Sequence, residues 1–207
     1  MNLKRLTLFL CSAVLIACAA NLNTAQAYPK PGLIHKSWVF NYSSDKPRFI
    51  LVKDRQGKAH WYCYITYKVI NNTDEERMLI PEFTLASDKG DIFLSGKNVP
   101  YRVYAAIQKR VNNRLMISPV QVIGKILRGP DFAQESVAIW PMPKHDIDEI
   151  NVFISGLSGE TKAIKHPLTR KPVIMSRTLM QTFKIPGTVT NYAKQKVVEL
   201  PSRWIMR

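Results

Sequence analysis

Cysteine is scarce in this chain, and its scarcity sets the first limit. Of Cys11, Cys18 and Cys63, the first two fall in an N-terminal leader, so Cys63 alone is certain to persist as a thiol and no internal disulfide can form. Cys63 is expected to be a small buried apolar side chain, with a reactive thiol as the alternative. Glycine is sparse too, and the nine present form no phosphate-cradling loop. The four histidines do not assemble a metal set. His60 and Cys63, three apart on a strand, face opposite sides and cannot share an ion. No metal or cofactor is therefore expected. Past the leader, no apolar run approaches the roughly 18 residues that cross a bilayer. Acidic residues are few as well: 15 Asp and Glu stand against 30 Lys and Arg, a formal charge of +15.

What is present begins with an export signal. Lys4-Arg5 precede an apolar run from Leu6 to Ala20, the charged and hydrophobic regions of a secretory leader. Two processing sites compete. Ala25-Gln26-Ala27 would release a chain starting at Tyr28, whereas Leu15-Ile16-Ala17-Cys18 has the form of a bacterial lipobox that would lipidate Cys18. The domain reading is thus a signal peptide at 1–27 (1–17 in a lipoprotein), a proline-rich lead-in at 28–36, and one folded unit at 37–207. The expected location is the periplasm or cell envelope.

Loss of Lys4 and Arg5 with the leader leaves 28 basic against 15 acidic residues, or +13. The excess is segregated. From Lys97 to Arg128 there are seven Lys and Arg and no acid, and from Thr161 to Arg207 ten against Glu199. Such a field concentrates anions: phospholipid head groups, acidic glycans or acidic proteins. Nucleic acid would be the usual first partner for such a charge, but the leader carries the chain away from it.

The longest β-favouring run is His60 to Asn72. Trp61, Cys63, Ile65, Tyr67 and Val69 alternate with Tyr62, Tyr64, Thr66, Lys68 and Ile70, so a strand here is largely apolar on both faces. It needs neighbours on both edges and cover on both sides. The turn residues from Asn71 to Glu76 end it, and an antiparallel partner is expected from Arg77 to Ala86. Other strands are read at Trp38–Tyr42, Arg48–Val52, Ile92–Ser95, Ser136–Trp140 and Glu149–Ser155, with a last hairpin or bent strand over Val173–Ile185. The apolar end, from Val197 to Arg207, is expected to pack back. Val99, Val103, Ala106, Ile107 and Val111 recur at helical spacing behind Pro100, which predicts one helix near 99–111 across an open end of the sheets. The fold class expected is mainly β: an immunoglobulin-like antiparallel β-sandwich with one helical insert, with a partly open barrel as the fallback.

Catalytic patterns are weak. Gly156-Leu157-Ser158-Gly159-Glu160 has Glu160 where a nucleophile elbow requires glycine. Lys144 to Glu149 gathers His145, Asp146 and Asp148 but lacks the oxygen spacing of a calcium loop. Binding candidates are the cations of the helical region, Arg102, Lys109, Arg110 and Arg114, and the C-terminal Arg203, Trp204 and Arg207, where an aromatic beside arginine suits glycan stacking. Several segments together resemble an uncharacterised family of exported single-domain bacterial β-sandwich proteins: Tyr28-Pro29-Lys30-Pro31, Val69 with Asn71-Asn72-Thr73, Ile80-Pro81-Glu82-Phe83, Val137-Ala138-Ile139-Trp140, Ser155 to Glu160, and Trp204-Ile205-Met206-Arg207. The resemblance implies an envelope protein and brings no activity or catalytic residues with it; the lipobox departs from it. Three functions are expected to compete. The first is a non-enzymatic envelope module that binds an anionic partner, touching membrane only through a lipid on Cys18. The others are a hydrolase or transferase around His145, Asp146 and Asp148, and a structural subunit assembling through strand edges.

Overall fold

The alternation around Cys63 yields the strand on which the first sheet is built. The computed structural model describes residues 37–143, 146–185, 192 and 196–207, so the leader with Cys18, the lead-in and His145 lie outside the described residues. β1 (Asn41–Ser44) and β2 (Arg48–Lys53) follow one another along a single edge of β3 (Ala59–Ile70), with Asn41 opposite Ile70 and Arg48 opposite Tyr64. Asp54 shapes the β2–β3 turn. Its Oδ1 accepts the N–H groups of Gln56 and Lys58, each at 2.9 Å, which is how an aspartate holds a tight turn.

The chain does not then return to β3, as the run from Arg77 to Ala86 had been expected to do. It splits at Ile80–Pro81 into β4 (Arg77–Leu79) and β5 (Glu82–Ser87), because proline has no N–H for a continuous ladder. β5 enters a second sheet, where β6 (Ile92–Leu94) turns back beside it. After α1 (Tyr101–Val111), β7 (Gly124–Ile126) pairs with β4 as a separate ribbon, and β8 (Gln134–Pro141) takes the other edge of β3. β9 (Glu149–Ser155) pairs with β5. β10 (Thr161–Lys165) and the thirteen-residue β11 (Pro172–Lys184) form a hairpin, and β12 (Val198–Glu199) and β13 (Arg203–Met206) line the far edge of β11. The segment expected as a last hairpin or bent strand is therefore one long strand, followed by two short ones, and β10 is an element the sequence reading had missed.

All pairings between these strands are antiparallel and the sheets do not close into a barrel. The fold is mainly β, a sandwich with one α-helix and a 3-10 turn at Pro130–Phe132 among the described residues. Cys63, Ile65, Val69, Ala138 and Trp140 of the first sheet meet Leu85, Val152, Ile154 and Phe183 of the second. Just before β1 the chain also bonds across: Phe40 N–H donates to Leu157 O at 2.8 Å and Gly159 N–H to Trp38 O at 3.2 Å. One segment thus ties the two layers together. The free edge of β8 is covered, since Gly96 N–H donates to Ile139 O and the Ser95 hydroxyl accepts Ile139 N–H.

The helix sits elsewhere than expected. It does not plug an open end; Val103, Tyr104 and Ile107 cover the outer face of the first sheet over Tyr62, Tyr64, Val137 and Ile139. That is the second apolar face of β3 receiving its cover. Asn112, in the left-handed conformation, ends α1, with its N–H donating to Gln108 O. Cys63 is wholly buried between the sheets, and burial pushes its thiol well above the ordinary range. The folded chain from Tyr28 onward, in which Cys63 is the one cysteine, is accordingly expected to resist a thiol reagent such as Ellman's at neutral pH. One equivalent should react only after denaturation, and rapid native-state labelling would contradict that burial.

Candidate functional site

The cations singled out from the sequence do not form one surface. Arg102 and Arg110 lie on α1 and reach back to β2: Arg110 donates to Phe49 O at 2.8 Å and Arg102 to Lys53 O at 3.3 Å. Both guanidinium groups thereby fasten the helix to the strand beneath it. Lys109 and Arg114 are exposed, and no carboxylate pairs with either among the described residues. Arg203 and Arg207 belong to the other sheet. Their register opposite Met180 and near Ser176 puts them on its outer face, where the Arg207 guanidinium lies 4.3 Å from the centre of the Phe153 ring.

Trp204 departs from the expected exposed platform. In β13 it alternates with Arg203 and Ile205, so it turns inward, half-buried against the main core. Above its ring, at 4.5 Å, lies the guanidinium of Arg177, which is itself buried and paired with Glu160 at 3.2 Å. Trp204 therefore shields a buried ion pair. Trp204→Ala is expected to cost about 2 kcal/mol, below the range for a fully buried tryptophan, while leaving retention on an acidic polysaccharide unchanged. Equilibrium denaturation and chromatography of one preparation check both halves.

Of the His145, Asp146 and Asp148 group, only the two aspartates can be placed. His145 is outside the described residues, and the two aspartates diverge. Asp148 approaches Lys89 at 3.7 Å beside the β5–β6 turn, whereas Asp146 borders a cleft at the other end of its segment. That cleft, of about 570 Å³, is bordered also by Asp54, His60, Trp61, Tyr62 and Tyr192. His60 Nε2 lies 3.0 Å from Asp54 Oδ2, and the hydrogen bond from His60 holds the Asp54 carboxyl below its usual range. The sequence reading weighed His60 only against Cys63. The β2–β3 register, which sets Val52 opposite His60, was the signal that brings Asp54 and His60 together. The pair can orient a proton, and Trp61 and Tyr192 offer an apolar wall. Among the described lining residues there is no serine, threonine or cysteine to serve as nucleophile.

Gly156 to Glu160 forms the inter-sheet tie described above, with the Ser158 hydroxyl donating to Trp38 O at 3.1 Å. That serine is occupied structurally. No group of three or more histidine, cysteine, aspartate or glutamate side chains placed to hold a metal ion occurs among the described residues, and no helix there is long and apolar enough to cross a membrane.

The remaining cations with distinctive placement are those of the β10–β11 hairpin: Lys162, Lys165, Arg170 and Lys171. All four are exposed, and none has a carboxylate within ion-pair distance among the described residues. The sequence run of ten cations had contained them without marking them as an element. No family model, no curated protein and no solved structure matches this chain.

Proposed function

We propose that this protein is a non-enzymatic module exported to the cell envelope, of the kind its segment pattern resembles, which binds an anionic component there through cations left free by the fold. The observation that carries this reading is an imbalance in how the two signs of charge are used. At least eight of the fifteen carboxylates are engaged by a neighbouring cation: Asp45 with Arg48, Asp74 and Glu75 with Arg77, Glu76 with Lys125, Asp88 and Asp148 with Lys89, Glu135 with Lys68 and Glu160 with Arg177. Lys109, Arg114, Lys162, Lys165, Arg170, Lys171 and Arg203 keep no such partner among the described residues.

A cation without a carboxylate partner costs nothing in competition when an external anion arrives, and several of them together create a potential that raises local anion concentration. The leader at Lys4 to Ala20 supports an envelope address, and the lipobox at Cys18 would hold the module on the membrane. The test is retention at low salt on an immobilised acidic polysaccharide against a neutral polysaccharide of the same type. Selective retention on the acidic matrix is expected; equal behaviour on the two would remove the proposal.

A further inference from the structure

The β10–β11 hairpin stands apart from the rest of the sandwich. Among the described residues, Thr161 to Lys165 pairs only with Pro172 to Ser176, and beyond the base, where Ser176 exchanges both backbone hydrogen bonds with Arg207, no third strand joins it. Most of its residues are exposed, Ile164, Met175 and Ser176 being half-buried toward the base and inner side. A five-residue arm extends about 16 Å at the usual strand rise. Two-stranded ribbons of this kind are marginal in water unless a further layer covers them, yet this one presents Leu168 at its tip, 88% exposed, and Ile174 on its outward side, 73% exposed. The tip is nonetheless built. His166 N–H donates to Lys171 O at 2.8 Å, Arg170 N–H to His166 O at 2.9 Å, and His166 Nδ1 accepts the N–H groups of Leu168 and Thr169 at 3.2 Å.

Apolar and cationic side chains are interleaved on this arm. Ala163 and Ile174 face one another across the ladder, and Lys165 opposite Pro172 follows on the same side. Lys162 and Lys171 occupy the other side with Ile164 and Val173. No acidic residue lies between Thr161 and Val198. An acidic glycan would satisfy the lysines and leave Leu168 and Ile174 in water. A bilayer surface bearing anionic head groups satisfies both, since the acyl boundary receives the apolar side chains while phosphates meet the ammonium and guanidinium groups.

We propose that the β10–β11 hairpin is a docking arm for anionic phospholipid bilayers, inserting Leu168 and Ile174 at the interface with Lys162, Lys165, Arg170 and Lys171 on the surrounding head groups. The proposal rests on the envelope-binding reading above and narrows it to one surface and one partner. It is independent of lipidation at Cys18, and the two attachments would reinforce each other because one weak membrane signal alone gives reversible binding.

The experiment uses the chain from Tyr28 onward, which carries every described element and neither leader nor lipid. Its co-sedimentation is measured with phosphatidylcholine vesicles and with mixed phosphatidylcholine–phosphatidylglycerol vesicles. Pelleting is expected with the mixed vesicles and not with the zwitterionic ones. K165E/K171E is expected to lower the partition coefficient by more than about tenfold, and Leu168→Asp by about tenfold, while an unchanged melting temperature shows that the sandwich remains intact. Wild-type pelleting by both variants, or no pelleting of the parent chain at low salt, would overturn the docking arm. In that case, retention on the acidic polysaccharide would leave the envelope-binding reading standing with a glycan or protein partner. Loss of both would remove the two together.

Discussion

Gly156→Ala is expected to destabilise the protein by about 3–4 kcal/mol and to lower its melting temperature by roughly 10 °C. Gly156 has φ +78°, where a Cβ crowds the following carbonyl and costs about 1–2 kcal/mol in any L residue. The larger effect is external. A Cβ built there falls 2.0 Å from Ile80 O and 2.8 Å from Ile80 C, both backbone atoms that cannot swing away. Ile80 lies at the break between β4 and β5, so relief of the clash must shift either that junction or the Leu157–Gly159 segment bonded to Trp38 and Phe40. Gly57 supplies the control. Its φ is +83° but nothing lies within 4 Å of its Cβ position, so Gly57→Ala should carry only the conformational penalty of about 1–2 kcal/mol. Urea denaturation of both variants separates strain from collision; equal losses would show that the close approach of residues 80 and 156 is wrong.

Trp140→Ala is expected to cost about 3–5 kcal/mol, the range for emptying a buried aromatic site. Trp140 is fully buried on β8, opposite Cys63, and it fills the space between the sheets. Its Nε1 donates to Phe83 O across the sandwich at 3.4 Å. Domains of ordinary stability have about 5–15 kcal/mol in all, so the alanine variant should lose about a fifth or more of the total. Trp140→Phe retains much of the apolar area and deletes the donor, and about 1–2 kcal/mol is expected, for the orphaned carbonyl and the smaller ring. Calorimetry on the pair measures how far the layers depend on this side chain. A loss below about 1 kcal/mol for alanine would mean that the sheets do not meet there.

The central strand was legible because its two apolar faces each demand cover, and the structure supplies a second sheet on one and α1 on the other. The helix itself was legible from its three- and four-residue spacing. Its seat was not, since the stripe of Val103, Ile107 and Val111 fits any apolar surface and nothing local says which. The β4–β5 break was marked by Pro81, but where the chain went afterwards depended on long-range pairing that no short window contains. β10 escaped because Thr-Lys-Ala-Ile-Lys alternates too weakly to compete with its charge. It is held as a strand by the ladder to β11 rather than by burial. Trp204 was misplaced for a different reason. Its neighbours Arg203 and Arg207 suggested water, yet the same alternation that made sense of β3 sends residue 204 to the opposite face from both. The cationic surface was legible as a sum and not as a site: pairing with backbone and carboxylates withdraws Arg102, Arg110 and Arg177, whereas the four hairpin cations are exposed and have no carboxylate partner among the described residues.

The central claim is that cations unpaired by folding are the working surface. Its most direct test is the affinity of the chain from Tyr28 onward for an isolated envelope fraction, followed from about 0.1 M to about 1 M salt, over which the screening length falls from about 10 Å to about 3 Å. Binding that weakens steeply across that range is the expected result. Binding that is unaffected by salt, or no binding at the lowest salt, would contradict the claim.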